Sequence, residues 1–233
     1  MSIFDLFFPK VRLPRITQVT DSHCGPATLA MLLAHQHRYV TQDEIVTAGH
    51  FRSRIKAQGS RPHQLARAVT ALDPDLQYWF KQGATTRDLD VLVNQYRWPV
   101  AVNWQGLFYD TQEEQDKKRK VDGEDGHYSV VIDFKPDRDQ ITLADPYPGF
   151  SQRPRVFSYT WFTKRWWDIA HDKDHKTGLV TSIKPRRFIF IIAPKNATFP
   201  QKLKMKLPED LGILQVKPTQ SVKRQASTRA KHK

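Results

Sequence analysis

Residues 17–32, TQVTDSHCGPATLAML, contain the only cysteine of the 233-residue chain. Cys24 stands immediately before Gly25-Pro26 and an apolar run that includes Leu29, Leu32 and Leu33. Pro26 suits a first helical turn, where the N–H it lacks has no partner in any case. The spacing therefore predicts a helix over 24–37 that opens at Cys24. Unpaired backbone N–H groups and the aligned peptide dipoles favour negative charge at that end. A thiol placed there has its thiolate stabilised and becomes a better nucleophile near neutral pH. Gly25 is expected to permit close approach of a substrate. A lone cysteine is as readily a small buried hydrophobe, and position alone does not separate the two.

Outward from this stretch, the N-terminal half reads as helices. Thr41 and Glu44 have capping-box spacing, which predicts a second helix to about Ala48. Ser60 and Pro62 open a third, with Leu65, Val69 and Leu72 on one face and Asp73-Pro74 at its end. Thr85 or Thr86 opens a fourth, with Leu89, Leu92, Val93 and Tyr96 inside. After Tyr96 the period changes. WPVAVNW (98–104) reads as a buried strand. HYSVVIDF (127–134) and QITLAD (140–145) read as a hairpin over the turn KPDRD. RVFSYTWF (155–162) reads as a strand running into a short helix, and RRFIFIIAP (186–194) as a final strand. The charged segment 106–126 is a long loop, expected to border a cleft because it precedes His127. Helices first and antiparallel strands after predict an α+β domain.

A nucleophilic thiol needs a base, and the base needs an orienting group. His127 begins one strand and Asp145 closes the next. If Lys135 pairs with Asp139 across Pro136-Asp137-Arg138, Asp145 falls opposite Ser129. It then shares a face with His127 and lies diagonal to it, roughly 7–8 Å away at the backbone. A one-residue change of register would place the two on opposite faces. Asp-Pro is also a common turn opener. Gln18, six residues before Cys24, carries an amide that could donate to an oxyanion beside the Cys24 N–H; alone, a glutamine means little.

Taken jointly, these residues resemble the papain-like cysteine peptidase superfamily. They are most similar to the bacteriocin-processing peptidases, which cut after a double-glycine leader, and to their free-standing relatives. The family pattern is a glutamine, Cys-Gly-x-Ala on a helix, an x-Pro-Val strand, His-Tyr-Val-Val-Val and Asp-Pro. Here it reads Gln18, Cys24-Gly25-Pro26-Ala27, Trp98-Pro99-Val100, His127-Tyr128 and Asp145-Pro146, over roughly residues 14–194. The position before the cysteine, usually acidic in that family, is His23. The resemblance implies a papain-like α+β fold, with the nucleophile at a helix N-terminus packed on an antiparallel sheet. It implies Cys24 as nucleophile, His127 as general base and acid, Asp145 as orienter and Gln18 as oxyanion donor. The activity implied is a cysteine hydrolase that cleaves a peptide or amide bond through a thioester, without a cofactor. Relatives with the same triad deamidate glutamine or transfer acyl groups. A non-catalytic module holding a peptide or protein on the same fold is the rival reading.

Composition sets the remaining bounds. Of the net charge of +13, most lies in the tail: from Lys195 onward there are ten Lys/Arg and two acids, against 27 and 22 in the rest. SVKRQASTRAKHK (221–233) is polar, basic and free of aromatics, and is expected to be disordered. The chain is thus expected to divide into a peptidase domain, 1–199, and a basic tail, 200–233. The tail would contact nucleic acid or anionic surfaces only weakly, since no nucleic-acid motif accompanies it. One cysteine cannot form an internal disulfide, and a cytoplasmic location is expected. No uninterrupted apolar run reaches 18 residues, and MSIFDLFFPKVR lacks the basic start and cleavage site of a secretory signal. Among nine histidines, His35 and His37 point apart on a helix, while His171 and His175 sit in a loop-like context, so no metal site is expected. Trp161, Trp166 and Trp167 are expected to pack in the core or at its rim.

Overall fold

The computed structural model describes residues 10–108, 125–168, 170–173, 180–183 and 186–209. In chain order the elements are α1 Cys24–His35, α2 Gln42–Ala48, α3 Ile55–Gln58, α4 Pro62–Leu72, β1 Leu76–Lys81 and α5 Thr86–Leu89. A π-helical turn, Asp90–Gln95, continues α5. Then come β2 Val100–Gln105, β3 Gly126–Lys135, β4 Gln140–Ala144, β5 Arg155–Ser158, α6 Tyr159–Arg165, β6 Ala170–Lys173, β7 Val180–Ile183, β8 Phe188–Pro194 and α7 Phe199–Lys202. Six strands form one antiparallel sheet in the order β1-β8-β2-β3-β4-β5, and β6 pairs with β7 separately. The architecture is α+β, as the element order predicts.

The helix that opens at Cys24 is not a one-sided amphipathic helix. Every residue from Cys24 to Ala34 is buried, because α1 lies against β3 and β8 and is flanked by α2 and α4. A helix apolar around its whole circumference belongs at the centre of a core. The capping box predicted at Thr41 is present: the Thr41 hydroxyl accepts from the Glu44 N–H at 3.2 Å, and Glu44 accepts from the Thr41 N–H at 2.7 Å. Thr85, one of the two candidates, caps the fourth predicted helix in the same way, with Asp88 as its reciprocal partner. The core is continuous, with Leu29, Leu33, Phe51, Tyr78, Trp104, Phe134, Phe162 and Phe190 among its buried side chains.

The β3–β4 hairpin corrects the expected register and then restores it. Lys135 pairs with Gln140, not Asp139. The turn holds four residues, a 3-10 turn at Pro136–Arg138 and Asp139 in the left-handed region at φ 51°. Continued unbroken, that pairing would set Asp145 opposite Val130, on the face away from His127. A β-bulge intervenes: Asp133 pairs with Thr142, but Val131 pairs with Leu143 and Val130 with Ala144. Ile132 is the extra residue, and its carbonyl accepts from the Val11 N–H at 2.9 Å. The one-residue shift places Asp145, by extension of the ladder, opposite Ser129 and on the face of His127.

Two regions depart from the sequence reading. β1 was not expected, because Leu76, Tyr78, Trp79 and Phe80 are all buried and so show no alternation. Residues 200–209 belong to the domain rather than to a tail starting at 200. Met205 is buried, and Lys206 and Phe80 exchange backbone hydrogen bonds of 2.8 and 2.9 Å along the outer edge of β1. An edge strand covered in this way is closed to foreign strands. The rest of the expected tail, 210–233, lies outside the described residues. Lys81 anchors the segment by donating to the Leu203 carbonyl at 2.9 Å and to Asp88 at 2.6 Å, while Asp88 also accepts from the Thr85 N–H and hydroxyl, both at 2.8 Å. Asp88→Ala is therefore expected to lower the unfolding free energy by about 1–3 kcal/mol, through the lost cap and an unpaired lysine. Urea titration of both proteins would check this; equal midpoints would refute it.

Candidate active site

α1 presents Cys24 at its first position. No side chain caps this end of the helix. The preceding turn is tied down locally: the His23 ring shares a hydrogen bond of 2.5 Å with the Thr20 hydroxyl, and Ser22 donates to the Lys56 carbonyl at 3.2 Å. Burial lowers the pKa of His23 against the opposing pull of Asp43, so the residue before the nucleophile is neutral at pH 7. The space that a Cβ would take at Gly25 is held by Ser60 and Tyr128. The glycine makes room for internal packing there.

β3 delivers His127 and the end of β4 delivers Asp145, both almost wholly buried, with 2% and 1% exposure. His127 Nε2 and Asp145 Oδ1 lie 2.8 Å apart. Cys24 also acts on the imidazole, whose Nε2 is engaged by Asp145, and raises its pKa. Burial pulls the pKa of His127 down, but the charge and hydrogen bond of Asp145, aided by Cys24, push it up and prevail. Burial raises the pKa of Asp145, and His127, Arg155 and the Tyr147 N–H lower it further than burial raises it. Both directions favour an imidazolium–carboxylate pair.

Gln18 is 4% exposed. Its backbone N–H donates to the Pro146 carbonyl at 2.9 Å, which ties it to the turn after Asp145. Its amide nitrogen donates to the Thr20 carbonyl at 2.9 Å, which leaves one N–H uncommitted by that bond. Gln42, the first residue of α2, braces this strand from both sides. It accepts from the Val19 N–H at 3.1 Å and donates to the Thr17 carbonyl at 2.8 Å. Of the four residues singled out in the sequence, His127 and Asp145 bond each other, Gln18 is tied to the turn after Asp145, and Cys24 acts on His127.

Sequence reasoning missed the residues that surround them. Trp104 is fully buried, donates to Ser129 Oγ at 3.0 Å and lies 6.3 Å from the His127 ring. Phe108 also meets that ring edge-on, at 5.0 Å, and contacts Tyr147 at 4.9 Å. Arg155 Nη1 contacts Asp145 Oδ2 at 2.5 Å. No spacing rule points to these, because they reach the site from β2, the segment after it and β5. Of the loop 106–126, residues 109–124 lie outside the described residues. Trp166 is core, as expected, while Trp161 stacks on Phe157 and Trp167 donates to the Lys164 carbonyl. Among the described residues no three His, Cys, Asp or Glu side chains gather as metal ligands, and no helix is long and apolar enough to cross a membrane. His175 lies outside the described residues, as does the side chain of His171.

The family model described as "Peptidase_C39 like family" matches residues 10–173. Two solved structures are similar. One is the peptidase domain of Streptococcus ComA, a bi-functional ABC transporter involved in quorum sensing: 16% identity, 79% of this chain and 98% of that chain, TM-score 0.49. The other is a double glycine motif protease from an AMS/PCAT transporter in complex with the leader peptide: 16% identity, 81% of this chain and 96% of that chain, TM-score 0.50. No curated protein matches the chain.

Proposed function

The chain belongs to the Peptidase_C39-like family, and from that premise we propose that it is a cysteine hydrolase that cleaves a peptide bond with Cys24, His127, Asp145 and Gln18. The observation that supports this most is the buried bond of 2.8 Å between His127 Nε2 and Asp145, with Cys24 among the groups that raise the pKa of that imidazole. A nucleophile, a base and an orienter in series are what acyl transfer requires.

The chemistry follows from the geometry. The Cys24 thiolate attacks the substrate carbonyl carbon and its electrons move onto the oxygen. The Gln18 amide and the Cys24 backbone N–H, which has no helical partner, hold that oxyanion. His127 passes its Nδ1 proton to the departing amine, and a thioester remains. His127 then takes a proton from water, the hydroxide attacks the thioester, and the thiol leaves as the acid forms. Asp145 stays ionised and keeps Nδ1 facing the sulfur. The substrate class is a peptide, the kind of molecule held by the AMS/PCAT double-glycine protease.

Peptides carrying a Gly-Gly pair are the first probes. Wild type is expected to cut at least one of them and, when quenched in acid, to carry the mass of the acyl half on Cys24. Cys24→Ala should do neither. Cleavage that survives in Cys24→Ala would sink the proposal.

A further inference from the structure

We propose that Arg155 is a positioning residue for this chemistry: it fixes the outer oxygen of Asp145 and, through the carbonyl of Leu107, ties that carboxylate to the wall segment that sets Phe108 against His127. The inference rests on the hydrolase reading above.

Arg155 opens β5, and its pairing with Leu143 sets it beside the end of β4. Its side chain is 9% exposed and that of Asp145 0%. The carboxylate is divided between two partners. Oδ1 serves His127 and the Tyr147 N–H at 2.8 and 3.0 Å, and Oδ2 serves Arg155 at 2.5 Å. A histidine–aspartate pair uses only one oxygen, and the other would be a buried acceptor without a partner. The second arm of the guanidinium, Nη2, donates to the Leu107 carbonyl at 2.8 Å, and its plane sits 3.7 Å from the Phe150 ring centre.

The Leu107 bond belongs to a larger clamp. Arg165, also buried, donates to the Gln105 and Gly106 carbonyls, each at 2.8 Å. Three consecutive carbonyls are thus held by two guanidinium groups, and the Gly106 N–H donates to the Asp125 carbonyl at 2.8 Å across the foot of the loop. Phe108 follows directly. Its ring lies over Gly106, where a Cβ would meet it at 2.5 Å. The side chain that satisfies Asp145 therefore also helps fix the ring that abuts the catalytic imidazole. A lysine can replace the charge, but one ammonium cannot stack flat on Phe150 while spanning both acceptors.

Asp145 is faced by His127 from β3, by Arg155 from β5 and by Arg15 from the segment before α1; Arg153 neighbours Arg155. Arg15 acts on the carboxylate only through space, and its Nη1 is buried without a hydrogen-bond partner among the described residues. Of these arginines, Arg155 is the one that contacts the carboxylate directly.

The test measures iodoacetamide alkylation of Cys24 against pH in full-length wild type, R155M and R155K. Without the cation Asp145 protonates at a higher pH and ceases to hold the imidazolium. The acidic edge of reactivity should then move up by about one pH unit in R155M, so that alkylation at pH 5 is about fivefold slower, and by about half a unit in R155K. Circular dichroism establishes folding, and R155K decides if R155M does not fold. Folded variants with the wild-type acidic edge overturn the inference while the hydrolase reading stands. A wild type that reacts only near pH 8.5 overturns that reading and this inference with it.

Discussion

At pH 5.5 His127→Ala is expected to lose nearly all alkylation of Cys24 by iodoacetamide, while wild type keeps most of its plateau rate. An ordinary thiol ionises near 8.5, so at pH 5.5 only about one molecule in a thousand is thiolate. A thiolate paired with an imidazolium persists well below that. The structure supports such a pair: Asp145 and Cys24 both raise the pKa of His127. The sign is as follows. A raised pKa keeps His127 protonated through neutrality, so a cation stands beside the sulfur across the whole acid range. Alanine removes that cation, and reactivity should then rise only as pH approaches the free-thiol value. Rates for both proteins from pH 4.5 to 9.5 would decide. Superimposable profiles would mean that the thiol and the imidazole are neighbours without being coupled.

The second large effect is on turnover. Gln18→Ala should lower kcat on a cleaved peptide by about 10²–10³-fold and change KM little, as expected for a donor that acts mainly in the transition state. The acid-range alkylation of Cys24 should stay near wild type, since the thiol–imidazole pair is left intact. Gln42→Ala should move kcat in the same direction and less, because Gln42 holds the backbone of Thr17 and Val19 on either side of Gln18. Equal kcat for Gln18→Ala and wild type would remove Gln18 from the oxyanion hole.

Much of this protein is written in short stretches of its sequence. The helix opening at Cys24, the box at Thr41, the helix opening at Thr85 or Thr86, and the strands 127–134, 140–145 and 186–194 each rest on signals within a few residues of one another. Such signals survive because capping, periodicity and turn chemistry are local interactions. The resemblance that singles out Cys24, His127, Asp145 and Gln18 is equally legible, since it lies in residue types and their order.

The tertiary structure alone decided how these pieces meet. Whether Asp145 shares the face of His127 turned on a single residue of register. The turn is one residue longer than the sequence implies, and the bulge at Ile132 compensates. Neither is visible in apolar periodicity, because β3 and β4 are buried on both faces. β1 pairs with a strand more than a hundred residues away, from Leu76 with Pro194 to Lys81 with Ile189, and no local pattern announces such a partner. Arg155, Gln42, Trp104 and Phe108 have no motif of their own. Each acquires its role from what the fold brings alongside it, at distances along the chain where loop geometry, not neighbouring sequence, sets the contacts.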